Sequence, residues 1–444
     1  MTSPHPHLRL PAVLLLLAAL GASAQTPVQS PSARTDPKSV YRRIIQPQEK
    51  PEQIDWAGRI TELLKEEPGD LVVTAVGDMI FNEPISQLEA PERAGLLRLM
   101  QEADVAYGNM EFSLNDRPEL QRPFYNFRAP RDFRWELART GINLVSLANN
   151  HALDFGPEGL KESLKALDQS NITYAGAGTT LAEAHAPGRL ELAGHKTRVA
   201  LLAYMRYWTA KYRSKDASGP SLSTIDPAVI LAVRDGKVEK VEGPLESDVQ
   251  TMEDDILLAR RRNDLLLVSL HNHDVTHHRA YGIQDTTPPN EEIMYHRAIE
   301  AGADLVLGTG PHVLRGIELY KGRPIFYSLG DFIYQYRTPE RIPVDLIHQR
   351  DIEMPRPQNV SVFDLRESQE VLESVMVRMT LNQGKLKRIQ LLPVTIDDEG
   401  PLYGVPRLAS TKRGAEILAL MQKLSAPYGT KITIKGWYGE VQLP

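Results

Sequence analysis

The chain has 444 residues, carries 57 acidic and 51 basic side chains for a net charge of -6, and is 42% apolar. That length and apolar content suffice for one large or two smaller domains with a full core. The net acidity gives no overall attraction to nucleic acid. With no cysteine, disulfides, thiolate zinc sites, cysteine nucleophiles and lipid attachment at an N-terminal cysteine are excluded. Any metal must be held by oxygen and imidazole ligands.

Taken in chain order, Arg9 is followed by an apolar run over 10–20 and then by Ala22-Ser23-Ala24. A charged start, a short hydrophobic stretch and a small-residue cleavage site are the layout of a secretory signal. The run is shorter than the ~20 residues that span a bilayer. The sequence therefore predicts export to the periplasm or another extracytoplasmic space, with the chain held at the membrane if the signal is retained. The expected organisation is a signal peptide at 1–24, a flexible Pro/Ser/Gln-rich linker at 25–52, a main domain at 53–400, and a C-terminal helix and strand extension at 401–444 packed on that domain.

A short amphipathic helix is expected at 56–66 and a strand at 71–76. From there the chain alternates, with strands at 104–107, 143–147, 173–175, 198–204, 264–270 and 304–307. Helices are expected at 88–102, 132–140, 157–168, 247–261 and 290–301. Apolar strands alternating with helices predict an α/β domain with buried strands. Strands at 316–320 and 324–328 around Lys321-Gly322-Arg323 read as a tight hairpin. Segments 209–246 and 336–358 lack periodicity and read as surface insertions. A helix at 411–423 and a strand at 431–434 close the chain.

Side chains that do chemistry cluster past strand C-termini in α/β folds, because the loops converge there. Five strand ends carry such residues: Gly77-Asp78; Gly108-Asn109-Met110-Glu111; Asn149-Asn150-His151 with Asp154; His271-Asn272-His273; and Gly308-Thr309-Gly310-Pro311-His312. Each alone is weak, since Gly-Asp and Asn-Asn occur in ordinary turns. Their recurrence at five successive strand ends points to one site. His271 and His273 would share a face if the strand continues, because strand side chains alternate with period two. Carboxylate, amide and imidazole donors suit a divalent ion such as manganese, zinc or iron, bound as one or two ions. Such a cluster is what a two-metal hydrolytic site uses to activate water and clamp a phosphoryl group.

The series Val76-Gly77-Asp78, Gly108-Asn109-Met110-Glu111, Asn149-Asn150-His151 with Asp154 and Gly156, Pro311-His312 and Tyr327-Ser328-Leu329-Gly330-Asp331-Phe332 resembles the CapA family of bacterial capsule or poly-gamma-glutamate synthesis proteins. Tyr174-Ala175-Gly176-Ala177-Gly178 fits the same pattern. The resemblance is strong over 71–334 and looser around 413–429. It implies a calcineurin-like metallophosphatase fold, with a two-sheet core flanked by helices. It also implies metal ligation by Asp78, Asn150, His312 and His271 or His273, with Glu111 or Asn109 in the place of a bridging acid and Glu111 favoured for its charge. His151 would be the general acid or orient the leaving group, with Asp154 as its catalytic companion, and Asn149, Thr309 and Asp331 would line the site. The chain departs from the family pattern at Thr309, where histidine is common, at His271-Asn272-His273, where a single histidine with Trp-Gly is common, and at Asp331, where Asn is usual.

The expected function is a metal-dependent, phosphoesterase-type hydrolase of capsule or poly-gamma-glutamate biosynthesis, acting on an envelope small molecule or anionic polymer. The alternative is a non-catalytic accessory that binds an anionic polymer or assembles with a membrane polymer synthase or exporter. The basic runs 206–215 and Arg260-Arg261-Arg262 are the candidate polymer groove, against the plainer reading of solvated charge. No Gly-Lys-Ser/Thr phosphate loop is found.

Overall fold

Successive residues of three central strands face two different cores, and this alternation sets the layering of the molecule. In a computed structural model the residues described are 53–117, 126–192, 194–206, 219–234, 237–272, 287–335, 370–398 and 402–444. The principal strands are β1 (Asp70–Ile80), β2 (Val105–Met110), β3 (Leu144–Ser146), β4 (Thr173–Ala175), β5 (Val199–Arg206), β6 (Leu265–Asn272), β7 (Leu305–Thr309), β8 (Ile317–Tyr320), β9 (Arg323–Phe326), β10 (Asp331–Tyr334), β11 (Glu373–Asn382), β12 (Lys385–Ile396), β13 (Ile432–Lys435) and β14 (Tyr438–Val441). The main helices are α1 (Trp56–Leu63), α2 (Pro91–Gln101), α3 (Gly156–Gln169), α4 (Glu246–Arg260), α5 (Pro289–Ala301) and α6 (Thr411–Ser425).

Two large sheets result. The first has ten strands and contains the order β13-β14-β12-β11-β1-β2-β3-β4, with β10 beside the end of β1. The second has seven and contains β5-β6-β7-β9-β8; β5–β6, β6–β7 and β7–β9 pair in parallel. Leu201, Ala203, Met205, Leu265, Leu267, Leu305 and Leu307 belong to the core shared with the first sheet. Their neighbours Ala200, Leu202, Leu266, Val268, Leu270 and Val306 pack with Met252 and Ile256 of α4 and Met294 and Ala298 of α5. A strand buried on both faces must be apolar at successive positions, which is why these segments read as continuous Leu/Val/Ala runs. Tyr107 and Ser269 join the sheets through a 2.7 Å hydroxyl contact. The mixed α/β, two-sheet architecture implied by the family resemblance is present.

The structure also departs from the sequence expectations. β1 runs to Ile80, so Asp78 lies within a strand that changes partner. Its first half pairs antiparallel with β11 and its end pairs parallel with β10. β11 and β12 are absent from the sequence expectations, although Val375-Met376-Val377 is a buried apolar run and Gln383 and Gly384 turn the chain with φ of 50° and 74°. Part of the supposed insertion at 209–246 is a regular hairpin, Pro227–Arg234 with Lys237–Pro244. Residues 1–52, His273 and 336–358 lie outside the described residues. Among the described residues no helix is long and apolar enough to cross a membrane.

Gly77 marks the tightest backbone approach near the site. The Asp78 N–H donates to the Gly330 carbonyl at 3.0 Å, and a Cβ at Gly77 would sit 1.8 Å from that oxygen. Gly77→Ala must push β1 and the turn before β10 apart. The expected loss is about 1–3 kcal/mol of stability, read as a lower urea midpoint with an unchanged slope; an unchanged midpoint would show that the approach is not constraining.

Candidate metal centre

The strand ends converge as the sequence pattern predicts. Asp78 (β1), Asn109 (β2), Glu111, Asn149, His271 (β6), Thr309 (β7) and Asp331 (β10) are all fully buried, and Asn150, His151 and Asp154 are nearly so. His271 is on the face of β6 turned to the first sheet; its neighbour Asn272 is on the other face, as alternation requires.

Asp78 is the hub. Its Oδ1 accepts from the Asn109 amide at 2.8 Å and its Oδ2 from the Gly310 N–H at 2.8 Å. Two groups of ligand-type atoms share it, Asp78 with Glu111 and His271, and Asp78 with His312 and Asp331, each with its atoms within 4.8 Å of one another. His271 is gripped on both nitrogens. Nδ1 lies 3.0 Å from the Thr309 hydroxyl and 3.2 Å from the Asn109 amide nitrogen, and Nε2 lies 2.7 Å from Asn150 Oδ1. His312 Nδ1 is 2.8 Å from Asp331 Oδ1.

Glu111 has no such grip. Both of its carboxylate oxygens are buried without a hydrogen-bond partner. Oε1 instead lies 3.9 Å from Nε2 of His151, 3.9 Å from Nε2 of His271 and 4.0 Å from Nε2 of His312. These gaps exceed a hydrogen bond. The His271 and His312 gaps match the roughly 3–4 Å between two ligands that each sit about 2.0–2.2 Å from one ion. A buried, unsatisfied carboxylate ringed by imidazole nitrogens therefore fits a cation.

The electrostatics agree. Burial pushes the Glu111 carboxyl well above its ordinary range, and the nearby charge of Asp78 pushes it further. Asp78 is raised as well, again mainly by burial. For His312 burial works against protonation, but Asp331, Glu111 and Asp78 overcome it and raise the imidazole well above its usual value. Three buried carboxylates thus share one cationic ring.

Other predicted residues take outer positions. Asn109, the alternative to Glu111, turns its amide nitrogen to Asp78 and accepts from Asn149 at 3.2 Å, so its polar atoms are already used. Asn149 also donates to the Met110 carbonyl at 2.8 Å and its Oδ1 accepts the His151 N–H at 3.1 Å. Asp154 holds His151 Nδ1 at 2.7 Å and accepts the Phe127 N–H at 2.9 Å. Asp154 therefore holds the His151 ring, with the Nε2 edge left facing the site. Asp331 stands among the ligand-type atoms, closer in than a lining role.

Two features escaped the sequence reading. Phe127 packs its ring 4.2 Å from that of His151, and nothing in its local sequence signals this. Arg206, at the start of one candidate basic run, is buried and ion-paired to Glu291 at 2.6 Å; Glu291 also accepts from Asn272. This buried pair sits behind the strand that carries His271. Arg260 likewise pairs with Asp304. Residues 207–215 lie outside the described residues.

Residues 72–336 match the profile of the bacterial capsule synthesis protein family PGA_cap. The chain is 30% identical to the uncharacterized protein y4sH of Sinorhizobium fredii, over 84% of this chain and 93% of that one. It is 26% identical to the capsule biosynthesis protein CapA of Bacillus anthracis, over 60% of each chain, and 24% identical to the PGA biosynthesis protein CapA of Bacillus subtilis, over 63% of this chain and 68% of that one. The matched span runs from β1 through β10 and takes in every described residue of the cluster, and the chain belongs to the bacterial capsule synthesis protein family PGA_cap.

Proposed function

We propose that this protein is an exported, divalent-metal-dependent hydrolase of the phosphoesterase type, serving capsule or poly-gamma-glutamate biosynthesis. The observation that carries the reading is Glu111, a fully buried carboxylate with no hydrogen-bond partner, facing three imidazole nitrogens at 3.9–4.0 Å. Asp78, Glu111 and His271 would hold one ion, with the Asn150 amide oxygen beside them. Asp78, His312 and Asp331 would hold a second, and His273, two residues past His271, stays a candidate. Oxygen and imidazole donors suit manganese, zinc or iron. A bound divalent ion there supplies an activated water and neutralises charge on a phosphoryl oxygen.

The chain's own residues do the rest. His151, held through Nδ1 by Asp154, presents Nε2 as the nitrogen that gives a proton to a leaving oxygen. Phe127 packs against that ring at 4.2 Å with the two planes tilted by 46°, which restricts its rotation. Burial around Glu111 and Asp78 keeps water from screening their charges.

A second reading, an accessory that binds an anionic polymer without turning it over, draws on Thr309, which stands where a histidine is common in the family and so removes one imidazole from the ligand set. A metal-loaded but inactive protein that binds polymer would favour it.

Glu111→Gln and Asp78→Asn are each expected to lower the bound manganese or zinc of the purified chain at least about tenfold, measured by elemental analysis after dialysis. Wild-type metal content in both variants would defeat the metal reading. Because the Glu111 carboxyl is raised in the metal-free protein, a metal must displace its proton at and below that raised pKa. Affinity should therefore rise with pH below the raised Glu111 pKa and level off above it. Calorimetry in buffers of different ionisation enthalpy should show proton release that is lost in Glu111→Gln; pH-independent affinity would contradict this.

His151→Ala should keep its metal and lose about 10²–10⁴-fold in hydrolysis of generic phosphate mono- and diesters. Asp154→Asn should lose less and shift the pH profile, because it acts through His151. Wild-type rates in His151→Ala would remove the proposed acid.

A further inference from the structure

Beneath the metal centre, one layer deeper between the two sheets, lies a second polar contact. Side chains two residues apart on a strand share a face. Tyr107 and Asn109 are so related on β2, and Ser269 and His271 on β6. In the outer layer the Asn109 amide nitrogen is 3.2 Å from His271 Nδ1. In the inner layer the Tyr107 hydroxyl is 2.7 Å from Ser269 Oγ. Both contacts join the same two strands, one from each sheet.

The inner pair is out of place by composition. Residues in register on neighbouring strands face the same way. Beside Tyr107 stand Ala75 on β1 and Leu144 on β3. Beside Ser269 stand Ala203 on β5 and Leu307 on β7. All four are buried in the core that the sheets share, and Tyr107 and Ser269 are fully buried among them. Burial raises the Tyr107 phenol well above its ordinary value, and the charge of Asp78 adds to this, so the hydroxyl keeps its proton. Phe and Ala would fill the same layer without burying two hydroxyls, which costs free energy even when they are paired.

What the hydroxyls add is a fixed reach, because a hydrogen bond is held to a narrow range of distance and angle whereas apolar surfaces slide. The gap between the sheets matters to the site above. Asp78 lies on β1, Glu111 directly follows β2 and His271 lies on β6, so these ligand-type atoms meet across the gap. Asp78 Oδ1 and His271 Nδ1 stand 3.8 Å apart over it. A working constellation has to be held to within about 0.5 Å. We propose that Tyr107 and Ser269 are positioning residues, a hydroxyl spacer that fixes the distance across which Asp78, Glu111 and His271 converge. This role rests on the metal reading above and extends it to a pair that touches neither ion nor substrate.

The test compares the full chain with Tyr107→Phe, Ser269→Ala and the double variant, each of which removes hydroxyls and leaves the rest of the side chain in place. Each single variant should bind manganese about tenfold more weakly by calorimetry, the low end of what an outer partner of a metal site contributes. Cobalt(II) bound in place of manganese should show a shifted visible absorption band, which reports ligand geometry. The double variant should match the weaker single variant to within about twofold, because both changes break one contact. Urea midpoints are measured alongside. A lowered midpoint with wild-type manganese affinity and an unshifted cobalt band would make the contact merely structural and overturn the assignment. A double variant weakened about a hundredfold would overturn it as well, since the two hydroxyls would then act separately. A wild-type chain that binds neither metal would sink the metal reading and the spacer with it. Metal bound equally by the wild type and all three variants would sink the spacer alone.

Discussion

Three carboxylates with no access to water, Asp78, Glu111 and Asp331, are drawn to one point between two sheets, and much of the local structure answers to that. Taking one such group out of water without a partner costs several kcal/mol, and adjacent like charges add to it. The protein spreads the load unevenly. Asp78 receives an amide and a backbone N–H. Asp331 receives the His312 ring. Glu111 receives neither and stays protonated above the ordinary carboxylate range. An apolar core residue would serve folding better at that position, so a carboxylate there is an argument for a cation.

The backbone is bent to make this possible. β1 gives up β11 for β10 at Gly77, where only a glycine lets the Gly330 carbonyl come in to the Asp78 N–H. On the facing sheet, Gly310 has a φ of 103° and His312 a φ of 58°. A left-handed histidine is uncommon. It persists because the Gly310 N–H is committed to Asp78 and the His312 ring to Asp331, which between them over-determine the loop.

The site was more legible in the sequence than the fold around it. Strand ends that carry Asp, Glu, Asn and His announce themselves because such residues are out of place beside Val/Leu runs. Asp78, Glu111, Asn150, His151, His271 and His312 could be picked out in that way. Roles within the cluster could not. Whether Asn109 or Glu111 faces the centre depends on which amide is already spent, and that is set by Asn149, forty residues away. β11 and β12 went unread because Arg378, Thr380 and Gln390 break the apolar pattern; these side chains are buried at α1 and around Glu66. Arg206 looked like one of a basic run, and only the parallel register beside Asn272, with Glu291 on α5, shows that it is an interior ion pair.

Thr309 illustrates how a departure from a family pattern can preserve a site's geometry. The Asn109 amide nitrogen can only donate, and it faces His271 Nδ1 at 3.2 Å. Nδ1 must then accept, and the proton sits on Nε2, which donates to Asn150 Oδ1 at 2.7 Å. Ligation of a cation by Nε2 requires that proton to leave or to move to Nδ1. A hydroxyl both donates and accepts, so Thr309, 3.0 Å from Nδ1, supports the ring in either state. A histidine in its place would add a ligand but offer each ring one fixed role per tautomer. Under the proposed metal reading, Thr309 would replace one imidazole donor with a hydroxyl that orients another, and His271 would be the imidazole that holds the ion beside Glu111.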